Sequence, residues 1–225
     1  MNTIIHGDCI KELKTLKANS VDLVCTDPPY EIATTGGGIY KQADKGYIKQ
    51  LSPIKDGFDE CILAECIRVM KRINIYLFCS KKQIPALLQF FVTKHGCNFD
   101  LLTWHKSNPV PACGNKYLSD TEFILFFREP GVRLYGTFHT KLTYYVTPLN
   151  QSDKRMHGHP TIKPLHIVSN FILNSTKPGD VVLDPFLGSG TTALAARTLD
   201  RRYIGIEREG RYIDIANARL RPTHT

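Results

Sequence analysis

The sequence has no apolar run approaching the roughly 18 residues that a bilayer-spanning helix requires. Its first stretch, residues 1–16, breaks its hydrophobic pattern with His6, Asp8, Lys11 and Glu12. A chain with neither membrane anchor nor secretory signal is expected. Paired cysteines are lacking too: Cys9, Cys25, Cys61, Cys66, Cys79, Cys97 and Cys113 form no CxxC motif, and their number is odd. Most sit inside apolar runs, where a reduced cysteine behaves as a small buried hydrophobe, so a reducing, cytoplasmic setting is expected. No Cys/His cluster has metal-ligand spacing, and no metal is expected. Acids are the scarcer charge, 21 against 29 Lys plus Arg, for a net charge of +8. That balance suits a polyanionic partner, and equally a solvated basic surface. Internal repeats, low-complexity segments and coiled-coil heptads are also missing.

What is present is the pattern of an α/β domain. The 225 residues suit a single domain with a small appendage. Short β-rich runs at 3–6, 21–26, 73–79, 99–104, 122–128, 180–183 and 203–206 alternate with helical periodicity, which predicts a doubly wound, mainly parallel seven-stranded sheet. Helices are expected after Gly7-Asp8-Cys9, from a cap at Asp59, over 84–95, from Pro164 to before Lys177, over 191–199 and over 212–220. Residues 31–57, with Gly36-Gly37-Gly38, read as a mobile loop, and 106–120 as a Pro/Gly/Asn-rich loop. The pattern is lost again over 131–158.

Two constellations carry chemistry. The first runs from Val181 through Asp184, Phe186, Gly188, Ser189, Gly190, Thr191 and Thr192 to Ala193, placing Gly-x-Gly-x-x-Ala between a strand and a helix. Glu207 stands at the tip of the next strand, 17 residues beyond Gly190. Glycines there let backbone amides approach a ligand closely, and the acid can accept both ribose hydroxyls of an adenosine. Taken alone, this fits a nicotinamide dinucleotide as well as S-adenosylmethionine.

The second is Asp27-Pro28-Pro29-Tyr30, which ends a strand in a stiff elbow. An exocyclic amino nitrogen is a poor nucleophile because its lone pair is delocalised into the ring. A carboxylate (Asp27) and an exposed carbonyl (Pro28) accepting its two hydrogens push it toward a reactive tetrahedral geometry. Tyr30 is suited to stack on a base withdrawn from its duplex. Cys25, beside the motif, is read as a core residue, since direct transfer needs no thiol nucleophile. If the strands at 181–184, 203–206, 3–6 and 22–26 are numbered one to four in a 3-2-1-4-5 sheet, strands one and four flank the switch point where such sheets bind ligands. The two constellations should then open onto one crevice.

On these residues the sequence resembles the beta-class amino methyltransferases of DNA found in restriction-modification systems. The Asp-Pro-Pro-Tyr element comes first and Phe-x-Gly-x-Gly (Phe186, Gly188, Gly190) last, with Gly7-Asp8-Cys9 and His159-Pro160-Thr161-Ile162-Lys163-Pro164 as further similar elements. The resemblance spans nearly the whole chain. It implies a circularly permuted Rossmann-like fold divided into a catalytic half (1–130), a target-recognition segment (131–158) and a cofactor half (159–225). It further implies S-adenosylmethionine as cofactor and double-stranded DNA as substrate. By the resemblance Asp8 and Cys9 line the adenine, Glu207 holds the ribose, and Thr161 and Lys163 lie near the methionine carboxylate. Residues 186–192 form the loop under that carboxylate, and Asp27 counts among the cofactor-binding residues as well as the catalytic ones. Asp at the first position of the tetrapeptide is commoner in this family for adenine N6, and Ser for cytosine N4.

DNA contacts are expected from 131–158, with loops 31–57 and 106–119. Arg133, Lys141, Lys154 and Arg155 would meet phosphates, and Tyr144 an unstacked base. A small basic subdomain with its own aromatic core fits the same residues. The segment is short for a specificity domain, which makes a homodimer sharing recognition one expectation, and the resemblance adds a cognate restriction endonuclease. Two readings remain open beside it: a cytosine N4 or RNA acceptor, and a nicotinamide-dependent oxidoreductase that leaves Asp27 to Tyr30 unexplained. Charge alone also suits a noncatalytic DNA-binding module.

Overall fold

The structure is a computed structural model that describes residues 2–28, 59–109, 115, 117–149 and 162–221. The loop expected at 31–57, Pro29, Tyr30, Lys154, Arg155, Thr161 and part of the 106–119 loop lie outside the described residues.

Eight strands form one sheet: β1 (Thr3–His6), β2 (Leu23–Thr26), β3 (Asn74–Cys79), β4 (Asn98–Lys106), β5 (Thr121–Arg128), β6 (Tyr144–Thr147), β7 (Val181–Asp184) and β8 (Arg202–Glu207). Their order is β1-β8-β7-β2-β3-β5-β4-β6. The first five reproduce the expected 3-2-1-4-5 arrangement, all parallel, and β5 alone among the described strands runs antiparallel to its neighbours. Alternation within each strand explains why both faces are buried. On β3, Ile75, Leu77 and Cys79 face one core, Tyr76 and Phe78 the other; on β5, Leu125 and Phe127 oppose Ile124 and Phe126 in the same way.

The first face is covered by α1 (Cys9–Thr15), α2 (Glu60–Val69) and α3 (Ile84–Leu88), which continues as a π-helical turn over Gln89–Lys94. Asp59 caps α2 as expected, its carboxylate accepting the Cys61 amide at 2.9 Å. The second face is covered by α4 (Leu165–Ser175), α5 (Thr191–Thr198) and α6 (Gly210–Arg219). At its centre the Tyr76 ring stacks between Phe126 and Phe171, with centroids 4.1 and 4.5 Å away. Such pairs contribute about 0.5–1.5 kcal/mol each beyond area burial.

The sheet has eight strands where seven were expected, because 144–147 pairs in parallel with β4 at the sheet's edge. Only Tyr145 of β6 is buried; Tyr144 and Val146 are exposed although apolar. Four residues without polar/apolar contrast carry no period-2 signal, so the strand is invisible in the sequence. Because seven strands point the same way, Asp27, Asp184 and Glu207 all emerge at one edge, the carboxyl edge. The antiparallel β5 also begins there, with Thr121 and Glu122.

Candidate active site

The cofactor half is built by the β7 to β8 connection. Asp184 ends β7 fully buried, its Oδ1 accepting the Thr26 hydroxyl of β2 at 2.7 Å and the Phe186 amide at 3.0 Å. The Thr192 hydroxyl donates to the Cys25 carbonyl at 3.4 Å, tying α5 to β2. Gly188 and Gly190 both adopt left-handed backbone (φ 53° and 82°). A Cβ on Gly190 would lie 2.8 Å from the Ala216 Cβ and 3.0 Å from its Cα. Gly190→Ala should therefore cost about 1–3 kcal/mol and weaken cofactor binding together. Thermal melting and calorimetric titration with S-adenosylmethionine check this, and unchanged values in both would contradict the cradle. Glu207 completes the loop: Oε2 accepts the Gly188 amide at 2.8 Å and Oε1 the Glu209 amide at 2.8 Å. A carboxylate has about four lone-pair sites, so two bonded amides fix its plane and leave capacity for ribose hydroxyls. Behind the loop, Arg219 of α6 donates to the Ser189 carbonyl at 2.7 Å and to the Ser189 and Thr191 hydroxyls at 3.0 Å each.

Burial pushes the Asp184 carboxyl from its ordinary 3.8 to about 6; the Asp27 charge adds to the rise, and the bonds from Thr26, Thr192 and the Phe186 amide partly offset it. A carboxyl whose folded pKa exceeds its unfolded value binds more protons when folded between those values. Stability therefore falls as pH rises from about 4 to about 6, by about 3 kcal/mol for this group. Asp184→Asn keeps an oxygen for Thr26 and Phe186 and should flatten that slope in urea denaturation series. An unaltered slope would assign the dependence elsewhere.

The second group of charged side chains begins where β2 ends. The Asp27 Oδ2 lies 2.7 Å from the Lys163 Nζ, and the same ammonium is 2.9 Å from the Glu122 Oε2. The Glu122 Oε1 in turn lies 2.8 Å from the Lys106 Nζ of β4. Lys163 is 7% exposed and sits 5.0 Å from the centroid of the Phe78 ring. Burial pulls its pKa down, but the Asp27 and Glu122 carboxylates outweigh that and hold the ammonium charged, above its usual range. Burial likewise raises Glu122, yet Lys163 and Lys106 bring it below the ordinary carboxylate value. Cys25 is driven well above the usual thiol range by burial, then by the Asp184 and Asp27 charges. It holds no thiolate for nucleophilic attack, in keeping with its reading as a core residue.

Of the other expected site residues, Asp8 caps α1, accepting the Lys11 amide at 3.2 Å, and Cys9 follows it; burial, then the Asp8 charge, raises the Cys9 thiol to about 11. Both lie beside the cofactor loop, because the Gly7 amide donates to the Glu207 carbonyl at 3.0 Å. Lys163 meets Asp27 directly, a contact the sequence reading does not place. Arg133 and Lys141 are not brought to the site. Segment 129–143 leaves β5 at the opposite edge, where Arg128 pairs with Asn74 at the start of β3, and the Tyr135 amide donates to the carbonyl of Asn174 near the end of α4. At about 3.3 Å per strand residue that edge is roughly 20 Å from Asp27. Tyr144 lies between, exposed on β6 opposite Thr103.

Sequence reasoning missed Glu122, Lys106 and Arg219. Glu122 left a trace: it is the one charge within the otherwise apolar and hydroxylic run Thr121–Phe127. Among the described residues no cluster could hold a metal ion. The residues present fit S-adenosylmethionine: a fixed acid able to accept ribose hydroxyls, a glycine turn closed by Ala216, and a charged lysine beside the Asp27 carboxylate.

Comparison with known proteins agrees with this geometry. Residues 21–218 match the N6/N4 methyltransferase family model, described as DNA methylase. The type II methyltransferase M.HinfI of Haemophilus influenzae is 33% identical over 246 aligned positions, covering 98% of this chain and 68% of that protein. The type II methyltransferase M2.DpnII of Streptococcus pneumoniae is 30% identical, with 96% and 88% covered. The crystal structure of an M1.HpyAVI–SAM complex matches with a TM-score of 0.70 at 29% identity, over 98% of this chain and 100% of that one. The cytosine-N4-specific PvuII DNA methyltransferase shares the fold, with a TM-score of 0.76 at 16% identity over 100% and 88%.

Proposed function

Because the chain belongs to the N6/N4 family of DNA methylases, enzymes that take their methyl group from S-adenosylmethionine, we propose that it methylates the exocyclic N6 of a flipped adenine in DNA at a specific site. The observation that carries this reading is the 2.7 Å bond between Thr26 and Asp184, which locks the strand ending in Asp27-Pro28 against the strand feeding the glycine loop. Methyl donor and acceptor nitrogen thereby share one crevice.

Asp27 and the Pro28 carbonyl accept the two amino hydrogens and orient the nitrogen lone pair along the line of transfer. The proton released once the new N–C bond forms leaves through the Asp27 carboxylate. Glu207 accepts from the adenosine's ribose hydroxyls, the glycine turn at 188–190 lets the backbone pass close beneath the cofactor, and Lys163 neutralises charge between the two halves. Asp at position 27 favours adenine over cytosine. Incubating the protein with DNA and labelled S-adenosylmethionine, then identifying the modified nucleoside by mass spectrometry, tests this. N6-methyladenine is expected, N4-methylcytosine would change the target base, and no label would overturn the reading.

The DNA-facing surface belongs at the carboxyl edge, beyond the end of β4, where Asn108 and the fully exposed Tyr117 follow; Lys154 and Arg155, outside the described residues, remain proposed phosphate contacts. Arg133 and Lys141 stand at the other edge of the sheet. Among the described residues no helix is long and apolar enough to cross a membrane, and the described cysteines are free, which supports a cytoplasmic setting. A homodimer and a cognate restriction endonuclease complete the reading, on the likeness to type II methyltransferases alone.

A further inference from the structure

We propose that Glu122 is a positioning residue for methyl transfer: it anchors the Lys163 ammonium against Asp27, and so fixes the direction in which the catalytic carboxylate faces. The inference rests on the methyltransferase reading and adds to it a residue outside every motif that carried that reading.

Three observations support it. The Lys163 ammonium bridges Asp27 and Glu122 at 2.7 and 2.9 Å, so its position is set by both acids together. Glu122 is itself held from the far side by Lys106 at 2.8 Å and by the opening residue pairs of the β4–β5 ladder, which makes it the rigid member of the chain. Asp27 follows the last residue of β2 and has no strand pairing of its own, so the ammonium provides a fixed point for its side chain. The sequence Lys106–Glu122–Lys163–Asp27 alternates in sign and is neutral overall, which lets four charges share a sparsely hydrated place. If Glu122 were removed, Lys163 would collapse wholly onto Asp27. That carboxylate would then carry more of the ammonium's charge, and Asp27 would become a weaker and misdirected acceptor for the amino group.

The decisive experiment compares wild type, Glu122→Gln and Glu122→Asp in single-turnover methylation, with calorimetric binding of S-adenosylmethionine and a pH profile of kcat. Glu122→Gln keeps the shape and loses the charge. Its kcat should fall at least tenfold, with the cofactor's Kd within about threefold of wild type. Among the described residues the Asp27 and Glu122 carboxylates face the Lys163 ammonium, and the Phe78 ring lies beside it. Losing one of two anions makes the ammonium easier to deprotonate, so the alkaline limb of the profile should move to lower pH. Glu122→Asp keeps the charge on a shorter arm: kcat should fall several-fold with the alkaline limb unmoved, and this variant decides the matter should Glu122→Gln not fold. Wild-type kcat in either variant, or a loss confined to melting temperature with the limb unmoved, would overturn the proposal. Absence of transfer by the wild-type protein would instead remove the methyltransferase reading itself.

Discussion

Asp27→Ala should lower kcat by about three orders of magnitude while the Kd for S-adenosylmethionine changes little. The amino nitrogen of adenine attacks only when its lone pair is drawn out of conjugation, and the Asp27 carboxylate is the one anionic acceptor placed for that at the end of β2. Truncation removes an interaction made mainly in the transition state, so the loss belongs in kcat rather than in binding. The fold should survive, because Lys163 keeps Glu122 as a counter-ion at 2.9 Å and the Asp27 side chain is already 24% exposed. Asp27→Asn, which retains one acceptor oxygen but presents an NH₂ group in place of the other, should fall between the two. Rapid-quench methylation of a DNA containing the recognition site, with cofactor titrated in parallel, separates the effects. Transfer by Asp27→Ala at the wild-type rate would refute the amino-activation mechanism.

Much of this site was legible before any coordinates, and for a physical reason. Apolar strand runs and helix caps are local, so the runs at 3–6, 73–79 and 180–183 declare themselves by β-rich composition and by the residues that end them. The glycine turn is local too, since left-handed backbone at Gly190 needs a glycine in one place. Convergence of Asp27 with Asp184 followed from strand order, which parallel topology restricts to few choices. What stayed hidden depends on long-range packing. Glu122 and Lys163 are 41 residues apart in the chain, and only the antiparallel turn of β5 brings the start of that strand to the carboxyl edge. The places of Arg133 and Lys141 were hidden for the same reason. Their composition suggested a DNA face, but the direction of β5 delivers Arg133 and Lys141 to the opposite edge, and β6 returns the chain only at Thr147.

Lys163→Met should cost about 3 kcal/mol at pH 7, and the deficit should shrink as the solution is acidified. Methionine fills most of the space occupied by the lysine stem over Phe78, so lost packing is the smaller part. The larger part is charge: Asp27 and Glu122 lose the ammonium that lies within 3 Å of both, and breaking a buried pair by deleting one partner costs about 3–5 kcal/mol. The lower end applies because Glu122 keeps Lys106 and Asp27 reaches solvent. The sign of the pH effect follows from Glu122. In the wild type its pKa is held below the ordinary 4.5, so its stabilising contribution is present above that value and is lost as pH falls through the folded pKa. Without Lys163, burial is left opposed chiefly by Lys106 and the pKa rises, so protonation on the acid side relieves strain in the variant, while the wild type keeps its stabilisation throughout pH 5 to 7. The difference in unfolding free energy should therefore be largest near pH 7 and narrow toward pH 5. The Asp184 slope is common to both proteins and cancels in that difference. Urea denaturation of the two proteins side by side at pH 5, 6 and 7 measures it. A gap that is constant with pH would mean that Lys163 contributes packing rather than charge, and the picture of an ammonium clamped between two carboxylates would have to be abandoned.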